Sequence, residues 1–328
     1  MRRASRVIAT TLLSLVAAAC GSGTTPSPSV SILGPPAIPS PGCGTPESPG
    51  STGYLWLSNG EDRGYVVHVP KSYAEGRPTP LVLALHDAGD SDSAFEVYIG
   101  LDTTANHNGF LVVYPNGSIP YETGWVWSVP GSNAPAEEPG SSTTPIDVGF
   151  LTALVAHLEE KYCVDERRVY ALGLSSGARM ADVLACDDPT IFGAVAPVSG
   201  LRIPMPCLST RPVPIISFHG TDDTTLPYEG SDGPTWTYSV PEAASLWASH
   251  NGCRASPQIF DTTHAPEKAM VSTYTACRDD ATVQLYTIEG GGHDWPGSPF
   301  GGEPEGPDAD AIIWSFFAGH PLQPSQKG

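Results

Sequence analysis

Residues 169–177 read Val-Tyr-Ala-Leu-Gly-Leu-Ser-Ser-Gly, an apolar run that ends in Gly173-Leu174-Ser175-Ser176-Gly177. An uninterrupted run from Val169 to Leu174 predicts a strand buried on both faces, as in a parallel sheet. The pentapeptide is a GxSxG, and Met180 to Cys186 after it reads as a helix. On a sharp turn from buried strand to helix, a serine hydroxyl is held up at the top of the sheet. The glycines permit a turn that side chains there would obstruct. A Gly/Ser-rich connection without chemistry is the competing explanation, and it weakens as partners for Ser175 accumulate downstream.

The rest of the chain alternates in the same way from about residue 52. Tyr54–Leu57 and Tyr65–Val69 form a hairpin pattern around Asn59-Gly60. Leu81–Leu85 and Phe110–Tyr114 are buried-strand runs, with a helix expected over about 92–106 between them. A Gly-, Pro- and Ser-rich stretch covers about 116–145, a length at which loops are often functional lids. Phe150, Leu151, Leu154, Val155 and Leu158 then recur at helical spacing after Asp147, which is expected to cap that helix. Ala194–Val198, Pro214–Phe218 and Val283–Ile288 are further strands, and Ile312–Phe317 belongs to a closing helix. This order predicts an α/β fold, a mostly parallel central sheet with helices on both faces. Sites in such sheets form at the carboxyl ends of strands. A single globular domain is expected over 51–328.

Before it lie two different segments. Arg2, Arg3 and Arg6 followed by apolar Val7–Ala19 read as a secretion signal over 1–20. Ala17, Ala18, Ala19 and Cys20 resemble the lipidation box of bacterial lipoproteins, with Ala17 where leucine is usual; cleavage near the same alanines by ordinary signal peptidase is the alternative. Lipidation at Cys20 would tether the protein to an outer membrane surface, its only expected membrane contact. Residues 21–50, rich in Pro, Ser, Gly and Thr, are expected to be a flexible tether. Without Cys20, six of the seven cysteines remain: Cys43, Cys163, Cys186, Cys207, Cys253 and Cys277. An even set in a secreted chain predicts disulfides, Cys253 with Cys277 being the safest pair because both flank one connection. A net charge of -19 argues against nucleic acid as a partner, since phosphate recognition needs clustered Lys and Arg. It suits a soluble extracellular protein, expected to be a monomer.

A serine hydroxyl needs a base to become a nucleophile. After Ser175 come His219-Gly220-Thr221-Asp222-Asp223 and Gly290-Gly291-Gly292-His293-Asp294-Trp295, each directly after a strand. His293 is the expected general base, and either Asp222 or Asp223 the acid that orients it; spacing does not separate the two. The backbone N–H of Ser176 and one from the loop after Leu85, Ala88 or else Asp87, are the expected oxyanion donors. His86 is expected to brace that loop. Trp125, Trp127 and Trp295 are candidates for an aromatic wall around the substrate, with ordinary packing as the competing role. No HExxH or tight His/Asp cluster signals a metal, and no cofactor is expected.

These segments together resemble a known family. PLVLALH (80–86), VVYPNG (112–117), DVGFLTALV (147–155), YCVDERRVYALGLSSG (162–177), FGAVAPVSG (192–200), FHGTDDTTLPYEG (218–230), NGC (251–253) and GGGHDWPG (290–297) are similar to secreted esterases of the α/β-hydrolase fold, namely the polyhydroxybutyrate-depolymerase-like lipoproteins and feruloyl esterases. The resemblance runs from about Cys43 to the last helix. It implies carboxylic ester hydrolysis through an acyl-serine intermediate, favours Asp223 as the acid, and supports three disulfides. Acetyl xylan or other short-chain esters are the alternative substrates; a non-catalytic binding protein, a peptidase or a perhydrolase on the same fold are the other readings. Asp87 stands where relatives often have glycine, Ala178 replaces a second glycine, and Asp294 a common threonine. A carboxylate at position 87 pointing inward would oppose developing negative charge, so it is expected to face solvent.

Overall fold

The computed structural model describes residues 36–58, 60–129, 146–233, 236–262, 269–300, 306–323 and 326. The signal-like segment with Cys20, and the 130–145 part of the long loop, lie outside the described residues.

Twelve strands and six α-helices are present among the described residues. The strands are β1 (Gly50–Ser58), β2 (Glu61–Val69), β3 (Thr79–Leu85), β4 (Leu111–Pro115), β5 (Ile119–Tyr121), β6 (Gly124–Val126), β7 (Val164–Leu174), β8 (Ala194–Val198), β9 (Ile215–Gly220), β10 (Gln258–Asp261), β11 (Ala269–Tyr274) and β12 (Val283–Ile288). The helices are α1 (Asp92–Ile99), α2 (Leu101–Asn108), α3 (Ile146–Lys161), α4 (Ser176–Asp187), α5 (Val240–His250) and α6 (Ala309–Gly319). Ten strands form one sheet in the order β1-β2-β4-β3-β7-β8-β9-β12-β11-β10. The six central strands, from β4 to β12, run parallel, and the antiparallel pairs sit at the two edges. Strands β3, β4 and β8 are buried along their whole length, which is why their sequences show no polar alternation. Helices α3, α4 and α5 supply the core on one face, and α1, α2 and α6 that on the other.

Three expectations need correction. The helix expected over 92–106 is two helices, broken at Gly100, whose φ of 71° ends α1 in a left-handed cap. The tether expected over 21–50 is already part of the fold from residue 38. Ile38 N–H donates to Asp165 Oδ1 at 3.0 Å, Ser40 hydroxyl donates to Tyr162 O at 2.8 Å, and Cys43 is bonded to Cys163. The long loop carries structure of its own in the β5–β6 hairpin. Strands β10 and β11 and helix α5 were not legible in the sequence. Cys253 pairs with Cys277, as expected, and Cys186 pairs with Cys207.

Candidate active site

Strand β7 delivers Ser175 to the carboxyl edge of the sheet, and α4 starts at once behind it. Ser175 holds φ 54°, ψ −109°, a region that a non-glycine residue enters only at a cost in strain. The turn closes because its flanking residues lack side chains. A Cβ on Gly173 would lie 2.4 Å from the Gly177 backbone, and one on Gly177 would lie 2.1 Å from Leu85 O. The strained serine is therefore clamped between α4 and β3. Its backbone N–H is tied to Val198 O of β8 at 3.0 Å, and the residue is only 8% exposed.

His293 arrives on the loop after β12 and Asp223 on the loop after β9. These strands are parallel neighbours, so the two loops emerge side by side. Gly220 is pressed against Gly291, where a Cβ would come within 2.1 Å of the carbonyl oxygen, and Asp222 N–H donates to Gly291 O at 2.9 Å. This packing brings His293 Nδ1 to 2.8 Å from Asp223 Oδ2. Asp223 is buried, whereas Asp222 is exposed and hydrogen-bonds only to its neighbour Thr221 through its side chain. The structure thus separates two residues that spacing could not.

Asp223 is well provided with donors. Its Oδ1 accepts from the N–H groups of Thr225 at 2.9 Å and Leu226 at 2.7 Å. Its Oδ2 faces His219 Nε2 at 3.2 Å as well as His293. Burial works against the charged carboxylate, but the bonds from His219, His293 and Leu226 outweigh it and hold the acid well below the usual carboxylate range. Burial likewise disfavours a charged His293; the hydrogen bond and charge of Asp223, with Asp87 and Asp294 nearby, outweigh that and raise it above an ordinary imidazole. With Nδ1 committed to Asp223, His293 Nε2 is buried and has no hydrogen-bond partner among the described residues. A ring so oriented presents Nε2 as its proton-accepting atom.

Sequence reasoning gave His219 no role. Its Nε2–H donates to Leu226 O at 2.8 Å and also approaches Asp223 Oδ2, the oxygen that meets His293, so it helps anchor the acid. Its ring is stacked on Trp236 at 6.0 Å. The signal was present in the chain: His219 and Asp223 are four residues apart across the end of one strand.

The loop after β3 holds His86, Asp87 and Ala88. His86 is fully buried, its Nδ1–H donating to Asp87 O at 2.6 Å and its Nε2 accepting from Gly117 N–H at 3.0 Å. Burial lowers its pKa to about 4, so it is a neutral brace. Trp127 completes the brace, with its indole N–H on His86 O at 2.8 Å. The loop is also clipped to the β5–β6 hairpin, Gly89 N–H to Trp125 O and Trp125 N–H to Asp90 O, each at 2.9 Å.

Two expectations fail here. Asp87 does not face solvent. Its Oδ1 accepts from Ala88 N–H at 2.5 Å, and the carboxylate lies against the Ser175 side chain and the Ser176 N–H. Of the three tryptophans expected to wall the substrate, only Trp125 is half-buried rather than buried. Trp127 and Trp295 are each 2% exposed and belong to the core. The Trp295 indole N–H is spent on Asp310 Oδ1 at 2.8 Å, and its ring meets Phe95 edge-on. Apart from the site, His68, Glu96 and Asp102 form a cluster with metal-ligand spacing, and it includes none of Ser175, Asp223 or His293.

The chain is similar to known esterases. The chain is 30% identical over 260 residues to the putative esterase NocK of Nocardia uniformis subsp. tsuyamanensis, covering 74% of this chain and 73% of that one. It is 29% identical over 285 residues to feruloyl esterase C of Emericella nidulans, covering 85% and 90%. Among solved structures, the acetyl xylan esterase from Aspergillus awamori superposes with a TM-score of 0.57 at 20% identity, over 81% of this chain and 99% of that one, which establishes the shared α/β-hydrolase-type fold. Residues 63–205, spanning the loop after β3 and the Ser175 elbow, match the family described as esterase PHB depolymerase, and the chain belongs to that family.

Proposed function

We propose that this protein is an extracellular serine esterase that cleaves carboxylic esters through an acyl-serine intermediate. The observations that carry this reading are Ser175 on a strained strand-to-helix elbow and, at the same carboxyl edge of the sheet, an Asp223–His293 pair joined at 2.8 Å. Ser175 Oγ attacks the ester carbonyl and passes its proton to His293 Nε2. The carbonyl electron pair moves onto oxygen, toward the N–H groups of Ser176 and Ala88. Collapse breaks the bond to the alkoxide, which leaves with the proton from His293; water then repeats the sequence on the acyl-serine. Asp223 holds the imidazole in one tautomer and stabilises its charged form. Unoccupied hydrogen-bonding capacity at His293 Nε2 supports this assignment of base and acid.

For substrate we favour feruloyl or acetyl esters of plant polysaccharide, in keeping with the names of the relatives, with short polyhydroxyalkanoate chains next. Trp125 is the aromatic contact we assign to the acyl or alkoxy group. Three disulfides support an oxidising, extracellular location. No helix among the described residues is long and apolar enough to cross a membrane. We assign attachment to Cys20 lipidation; detergent phase partitioning of the wild type against Cys20→Ala tests it, and equal partitioning rejects it.

Residues 36–328 are the part to express, since residues from Ile38 onward pack into the fold. Assays on p-nitrophenyl esters of rising chain length, methyl ferulate, acetylated xylan and a polyhydroxybutyrate suspension rank the substrates. Ser175→Ala is expected to lower kcat by about 10^5–10^6-fold. Full activity in that variant would sink the proposal.

A further inference from the structure

The oxyanion hole of this enzyme already contains an anion. Ala88 N–H, one of the two donors assigned to it, donates to Asp87 Oδ1 at 2.5 Å, and the same carboxylate lies against the Ser176 N–H and the nucleophile's own hydroxyl. An ester carbonyl cannot use these donors while Asp87 holds them as a carboxylate. Nor can a developing oxyanion form beside a second negative charge at contact distance without strong repulsion. Resting on the esterase reading above, we propose that Asp87 is a further catalytic residue, one that stops the oxyanion hole as an anion and donates a third hydrogen bond to the oxyanion as a neutral acid.

Asp87's surroundings suit this double role. Its side chain is largely withdrawn from water, and burial raises its carboxyl above the usual value; His293 and the Ala88, Ser175 and Ser176 donors only partly offset that. A carboxylic acid kept neutral by a low-dielectric site is a known donor to developing enolate or alkoxide charge. The charged and titratable groups facing it are few. His293 and Asp294 come from the loop after β12, and Tyr98 from α1. Asp90 and neutral His86 belong to its own loop, and Glu122 reaches that loop from the β5–β6 hairpin. Only His293 can balance the Asp87 charge, and the carboxylates all favour a proton on the pair.

The protons then balance as follows. Asp87 and His293 together hold one proton; it rests mainly on His293, and the reacting form is the minor one in which Asp87 carries it and His293 is neutral. Ser175 gives its own proton to His293 Nε2 during attack, the carbonyl pair moves to oxygen, and the Asp87 O–H stays intact while hydrogen-bonding to it. With a second proton, His293 is no longer a base. With none, Asp87 is a permanent stopper. Activity therefore peaks with a single proton on the pair and falls about tenfold per pH unit on both sides.

The test is the pH profile of kcat/KM for p-nitrophenyl acetate from pH 4 to 9.5, for wild type, Asp87→Asn and Asp87→Ala, with circular dichroism to confirm folding. The wild type is expected to give a bell. Both variants are expected to rise to a plateau and to exceed the wild type about tenfold or more at pH 9. Their acid limb is expected at higher pH than the wild type's, because it then reports His293 alone rather than the first proton lost from the pair. A wild-type plateau at alkaline pH overturns the proposal without any variant. Folded variants no faster than the wild type at pH 9 also overturn it, since removing the carboxylate would then not free the oxyanion donors. Labelling of Ser175 by a fluorophosphonate and the Ser175→Ala control report on the esterase reading separately. Hydrolysis and labelling without an alkaline limb remove only the role of Asp87; absence of both removes the reading beneath it.

Discussion

Two aspartates flank Ser175, and the fold treats them in opposite ways. Asp223 is fully buried yet meets two histidines and two backbone N–H groups, so its charged form is favoured. Asp87 is less enclosed but meets weaker compensation, so burial prevails and its carboxyl is pushed up. Depth of burial therefore does not predict the charge state. Donor count around the oxygens does, because each donated bond stabilises the anion against the same desolvation cost. The acid side of the site is built to keep a charge fixed. The oxyanion side carries a carboxyl whose charge can be removed.

The largest expected effect breaks the acid side. Asp223→Asn is expected to lower kcat about 10^4-fold with the fold intact, as the wrong imidazole tautomer is then favoured. If Asp222→Asn did this instead, the contrast drawn above would collapse. Next is His219→Gln, expected to lower kcat about tenfold with KM little changed, since one of several bonds to the carboxylate is lost. A change in KM alone would make His219 a substrate contact rather than a positioning residue. Trp127→Phe addresses the oxyanion side. It leaves the buried His86 carbonyl without its indole donor and is expected to cost about 1–3 kcal/mol in urea denaturation.

Smallest are the effects on stability against pH, and their signs are opposite. The Asp223 value is lowered in the folded state. Its stabilisation is complete above the ordinary carboxylate value and is lost as pH falls toward the folded one, so Asp223→Asn should flatten the acid side of a Tm-versus-pH curve. The Asp87 value is raised, so the folded state keeps a proton that the unfolded chain releases, and stability declines as pH rises through that interval. Asp87→Asn is expected to raise Tm at pH 7 and not at pH 3. A common sign for both variants would show that the two carboxylates are not distinguished as described.

Much of this was written in the linear chain. The apolar runs at 81–85, 169–174, 194–198 and 283–288 mark parallel strands because a strand covered on both faces leaves no room for polar alternation. The glycines around Ser175 announce an elbow because no side chain fits there. His293 was legible for a related reason, lying just past the last strand with glycines before it. Less was legible where packing partners decide. Gly100 breaks a helix that periodicity alone would continue. Strand β10 is exposed along its length, so no apolar pattern marks it. Trp127 and Trp295 look alike from sequence as substrate contacts or as core, and only the positions of His86 and Asp310 settle that they are core.

The elbow, the order of serine, acid and base, and the alternation of strand and helix were thus determined by the sequence, because each depends on residues adjacent in the chain. Spacing left Asp222 and Asp223 open and the family resemblance favoured Asp223; its burial against His293, the support from His219 and the inward turn of Asp87 were decided only by the tertiary structure. Each depends on which loops at the carboxyl edge of the sheet come within hydrogen-bonding distance, and that distance is set by strands far apart in sequence.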